Sequence, residues 1–144
     1  MNRRGAEAQR INELTDRIIG CAIDVHKAIG PGLLESAYEQ CLSREMELGG
    51  IRFKRQVTLP VEYKGSKLDC GYVMDIVVED LVIVELKTVE RILPVHEAQL
   101  LTYLKLYKRS VGLLLNFNVD VMRQGIKRIV NNFIEPSAPP RLCG

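Results

Sequence analysis

The sequence predicts an α/β fold, a sandwich of helices against a mixed sheet. Three observations predict it. Apolar residues recur every three or four positions over residues 7–29, and a second helical pattern covers residues 95–108. Between them lie short runs of Val, Ile and Leu bounded by turn residues, the mark of buried strands. The order of the pieces is helix, helix, three strands, helix, then one or two strands, an order that layers helices against a sheet.

Each element has its own justification. Ile11, Leu14, Ile18, Ala22, Val25 and Ile29 form the stripe of the first helix, and Gly30-Pro31-Gly32 stops it. A second helix starts at Leu33, is expected to turn Leu34, Ala37, Cys41 and Leu48 inward, and ends at Gly49-Gly50. Strands are predicted through Gln56–Tyr63, Leu68–Val78 and Val82–Thr88, with a turn at Lys64-Gly65-Ser66. Pro94 opens the next helix, with Ala98, Leu101, Leu104 and Leu106 expected to pack. Val111–Phe117 reads as a core strand, and the ambiguous Gly125–Val130 is assigned to a strand.

A chain of 144 residues suits one domain with a real core, expected over residues 1–134. Residues 135–144 hold Pro136, Pro139 and Pro140 and are expected to form a flexible tail. With 47% hydrophobic and 26% charged residues, the composition is that of an ordinary globular protein. A net charge of +2 does not announce a nucleic-acid binder, though a local basic patch suffices for one. Basic clusters occur at Arg52-Phe53-Lys54-Arg55, at Lys105 with Lys108-Arg109, and at Arg123 with Lys127-Arg128. Cys21, Cys41, Cys70 and Cys143 are scattered without a Cys-x-x-Cys pair, which argues against a zinc ribbon. No apolar run reaches membrane-spanning length and Met1-Asn2-Arg3-Arg4-Gly5 lacks a signal-peptide stretch, so a cytoplasmic location is expected.

The segment from Gly71 to Lys87 carries the chemistry. Asp75, Glu85 and Lys87 interrupt otherwise apolar strands. A buried carboxylate is costly unless it is paired or binds a metal. Glu85 and Lys87 share a strand face. A two-residue turn at Glu79-Asp80 would set Asp75 opposite Val84, on the other face from Glu85. A three-residue loop or a bulge would set it opposite Glu85. In the second case the acids can hold Mg2+ or Mn2+, which favour hard oxygen donors. Lys87 can then orient or deprotonate a water, or stabilise charge on a phosphorane-like transition state. A plain ion pair between Lys87 and one carboxylate is the other reading.

More polar residues sit at suggestive spacings. Glu35 lies one turn into the second helix, with Tyr38 on the same face; Gln99 and Tyr103 share a face of the later helix, with His96 one turn before. The plainer readings are a first-turn acid favoured by the helix dipole, packing tyrosines, and satisfied histidines at His26 and His96.

Gly32-Leu33-Leu34-Glu35-Ser36-Ala37-Tyr38 matches the pattern that names the GxxExxY protein family. Asp75, Glu85-Leu86-Lys87 and Gln99-Leu100-Leu101-Thr102-Tyr103 match motifs of the PD-(D/E)XK nucleases, of which that family resembles a compact member. The resemblance runs from about Ile11 to Val130. It implies a restriction-endonuclease-like αβββαβ core with the mixed sheet flanked by helices. It also implies Asp75 and Glu85 as metal ligands, Glu35 as a further acid on the metal or its water, and Lys87 positioning the attacking water. Gln99 would tie the helix to the active centre, with Tyr103, Tyr38 and His96 toward the substrate. Met74 stands where the superfamily name implies Pro.

The leading expectation is thus a Mg2+- or Mn2+-dependent nuclease acting on DNA. The alternative is a non-catalytic nucleic-acid-binding or protein-interaction module on the same fold. A third reading is a different hydrolase built on His26, His96 and the acids. So small a domain also suits a homodimer or a partner protein.

Overall fold

The computed structural model describes residues 3–135. Two helices open the chain, α1 (Arg3–Ile29) and α2 (Glu35–Leu48). The strands β1 (Phe53–Thr58), β2 (Val61–Tyr63), β3 (Ser66–Leu68), β4 (Val73–Val78) and β5 (Val82–Lys87) follow. The chain continues through α3 (Pro94–Tyr107), β6 (Val111–Asn116), a short 3-10 turn and β7 (Ile126–Val130). Five strands form one sheet in the order β1-β4-β5-β6-β7. Only β5 and β6 run parallel, because α3 carries the chain back across the sheet between them. Two expected strands are each interrupted. Pro60 breaks the first, and residues 69–72 break the second, so β2 and β3 form a separate hairpin closed by Lys64-Gly65. Among the described residues no helix is long and apolar enough to cross a membrane.

The sheet lies between two helical layers. Ile76, Val78, Val84, Leu86 and Leu113 belong to the core shared with α1 and α2. Val77, Ile83 and Leu114 belong to the core shared with α3. Gly112 lets α3 come close, since a Cβ there would stand 3.0 Å from the Leu100 side chain. Two helices turn only part of their expected faces inward: Cys41 of α2 and Leu104 and Leu106 of α3 pack as expected. In α2 the buried stripe is Tyr38, Leu42 and Met46, while Leu34 and Leu48 are exposed. In α3 it is Leu100, Tyr103 and Leu104, with Ala98 exposed. Leu48 ends α2 on its exposed side, and α3 carries leucines on more than one face, so the apolar spacing marked each stripe only in part. Glu135, expected in the flexible tail, is held by Arg128 at 2.9 Å and by Asn12. The rest of that tail, 136–144, with Cys143, lies outside the described residues.

Candidate active site

The β4–β5 connection fixes the site. Val78 pairs with Val82, leaving Glu79, Asp80 and Leu81 as a three-residue loop, with Glu79 and Asp80 in left-handed backbone. The register runs through Val77↔Ile83 and Ile76↔Val84, so its next step sets Asp75 opposite Glu85. Of the two connections open from the sequence, the odd loop is the one formed.

At that step the ladder changes character. The Asp75 N–H donates to a Glu85 carboxylate oxygen at 2.7 Å, and the Leu86 N–H donates to an Asp75 carboxylate oxygen at 2.9 Å. The two acids are thus clasped, each holding the other's strand. Glu85 is only 7% exposed. Burial, then repulsion from Asp75, pushes its carboxyl up to about 8. Burial also raises Asp75, opposed chiefly by the Leu86 N–H. Lys87, half-buried, attracts Asp75, Glu85 and Glu35 alike.

Side chains from both helical layers reach this pair. Glu35, at the start of α2, is raised by burial and then by repulsion from Asp75. Tyr103 of α3 is raised by burial and then by Glu85, and its ring lies 6.0 Å from that of Tyr72. Gln99 is exposed and reaches the site through Tyr103, donating to its hydroxyl at 3.1 Å. Among the described residues no three His, Cys, Asp or Glu side chains gather closely enough to cage a metal. Glu35 therefore does not complete a direct three-acid set with Asp75 and Glu85.

Two expected substrate contacts have other work. Tyr38 has no exposed surface. Its hydroxyl donates to Gly30 and accepts from the Leu33 N–H, and its ring stacks on Phe117 at 4.5 Å. It braces the α1–α2 connection instead of meeting a ligand. His96 accepts from the Leu93 N–H at 2.9 Å through Nδ1 and so caps α3. His26, 7% exposed, bonds the Val119 carbonyl. The histidines thus serve separate backbone groups, which takes away the basis of a histidine-centred hydrolase.

The structure adds residues that the sequence reading missed. Glu39 is 6% exposed, paired with Arg55 at 2.9 Å and bonded by Gln56 at 2.8 Å. It repels both Asp75 and Glu35. One signal was available: Glu39 follows Glu35 by four residues, one turn along the same face. Asn116, 1% exposed and in register with Lys87, bonds both the N–H and the carbonyl of Val89, pinning the segment that leaves β5.

Comparison with curated proteins and with solved structures gives no match. The family model described as the PD-(D/E)XK nuclease superfamily matches residues 12–129, which span both acidic strands, Lys87, and the Gln99–Tyr103 turn of α3. On that match, over most of its length, this chain belongs to the PD-(D/E)XK nuclease superfamily.

Proposed function

We propose that the protein is a Mg2+- or Mn2+-dependent phosphodiesterase that cuts DNA. The observation that carries this reading is the clasp between Asp75 and Glu85. It brings two carboxylates to one spot at the cost of mutual repulsion, which a divalent cation relieves. The donor set fits such an ion: hard oxygens from two protein carboxylates, the number that Mg2+ takes while keeping several waters of its own.

Asp75 and Glu85 would hold the ion, and Glu35 would orient water beside it. A bound divalent ion polarises the phosphate and lowers the pKa of a water. Lys87, facing all three acids, orients the attacking water and offsets charge that grows on the phosphate oxygens. Tyr103 closes the α3 side and faces the substrate, and Gln99 fixes its hydroxyl. Membership in a nuclease superfamily favours nucleic acid as substrate.

The test uses labelled linear, circular and single-stranded DNA with Mn2+ or EDTA. Cleavage of at least one substrate with Mn2+, absent with EDTA and with Asp75→Asn, is the expected result. Binding of DNA without cleavage under any of these conditions would instead favour the non-catalytic module.

A further inference from the structure

Gln56 lies inside β1 with φ +51°. Left-handed backbone is uncommon in a residue with a side chain and foreign to a pleated strand. No insertion explains it. Arg55↔Ile76 precedes it and Val57↔Met74 follows it in the same register, so no residue is added as in a bulge. That register sets Gln56 opposite Asp75, whose other neighbour is Glu85. The β1–β4 rung is missing at Gln56 alone, and the β4–β5 pairing ends at Ile76↔Val84, so Asp75 has no regular rung on either side. Strain of this kind persists when surrounding contacts enforce it, and it concentrates at functional sites.

The contacts show what enforces it. The Gln56 amide donates to one oxygen of Glu39 at 2.8 Å, while Arg55 donates to the other at 2.9 Å. Opposite Asp75 in the register, the same amide also favours the charged form of the Asp75 carboxyl, the smallest of the influences on it. A side-chain NH2 has two donors, enough to serve both acids. Glu39 is buried and repels Asp75, so a further donor between the two acids eases both. A neutral amide answers this need without supplying a cation that would compete for the carboxylates.

We infer that Gln56 is a positioning residue of the site: its amide fixes the Asp75 carboxyl against Glu39, and the left-handed kink in β1 aims it there. The consequence for metal and rate rests on the nuclease reading; the hold on Asp75 does not. The test is Gln56→Gly, which keeps the left-handed backbone accessible and removes the amide. Gln56→Asn, which also tolerates that backbone but is one methylene shorter, serves if the glycine variant fails to fold.

Three-bond couplings report the Asp75 χ1 in metal-free protein. One rotamer in the wild type and averaging in the variant are expected. Mn2+ affinity should fall about 10–100-fold, as when a metal ligand's supporting partner is lost. The loss in cleavage should appear in kcat more than in KM. A single, unchanged Asp75 rotamer in the variant overturns the inference. A wild type that neither binds Mn2+ nor cleaves DNA overturns the nuclease reading, while the couplings still decide the role of Gln56.

Discussion

Asp75, Glu85 and Lys87 divide the work of one small site, and their substitutions should separate cleanly. Asp75→Asn and Glu85→Gln keep the shape and a carbonyl acceptor for the clasping N–H groups, yet remove an ionisable group that burial and crowding disfavour in its charged form. Both should abolish Mn2+-dependent cleavage, and the metal-free variants should melt no lower than the wild type. Wild-type turnover in either would remove that residue from the ligand set. Lys87→Ala should cut the single-turnover rate far more than DNA affinity, because the lysine acts on charge formed in the transition state. Equal losses in both, with a flatter salt dependence of binding, would make it a phosphate anchor. Tyr38 belongs to another category. Tyr38→Phe keeps the stack on Phe117 but leaves the Leu33 N–H and the Gly30 carbonyl without their partner. A loss of about 1–2 kcal/mol in urea unfolding is expected, with cleavage per folded molecule unchanged.

Elements were legible in the sequence where a periodic pattern met a clear stop. Residues 7–29 and the Gly49-Gly50 end were of this kind, as were the short apolar runs of β5 and β6. What was not legible depended on partners elsewhere in the chain. The inward faces of α2 and α3 were legible only in part: Cys41, Leu104 and Leu106 pack as expected, while Tyr38, Leu42, Met46, Leu100 and Tyr103 carry most of the burial. The acids Glu35 and Asp75 could be flagged by motif and by apolar surroundings. The kink at Gln56 left no local mark, since its cause is the distant pair Glu39 and Asp75. Gly125 is a similar case. It precedes β7, and a Cβ there would stand 2.0 Å from the backbone oxygen of Asn116. That oxygen belongs to the residue whose side chain pins Val89 beyond β5. Gly125→Ala must therefore push β6 and the β7 entry apart. A loss of about 2 kcal/mol or more is expected from overpacking against backbone, read as a lower urea midpoint at unchanged slope. A variant as stable as the wild type would mean that this junction yields easily.

Across the whole molecule, charge is distributed unevenly between the site and the surface. Much of the basic potential marked in the sequence is committed to ion pairs: Arg52 with Glu79, Arg55 with Glu39, Arg109 with Asp80, Arg128 with Glu135. The exposed pairs contribute little to stability; Arg55–Glu39, whose carboxylate is buried, stands apart. The strong electrostatic stress lies at the acidic site, where Glu35, Asp75 and Glu85 are all raised. Glu85 dominates. Unfolded, it releases its proton near the ordinary value of 4.5; folded and metal-free, it keeps the proton up to about 8. Between those values the unfolded chain binds fewer protons, so raising the pH favours unfolding. The stabilisation is full below about 4.5 and is lost as pH rises through the folded value. Glu79, Asp80 and Glu135 shift the other way and act at the acid end, below that window. In EDTA the melting temperature should therefore fall from pH 5 to pH 8, and the fall should flatten in Glu85→Gln. Mn2+ competes with the same proton, so it should raise the melting temperature much more at pH 8 than at pH 5. A melting temperature that rises from pH 5 to pH 8 in EDTA, or a Mn2+ effect equal at both, would show that Glu85 does not carry the strain assigned to it.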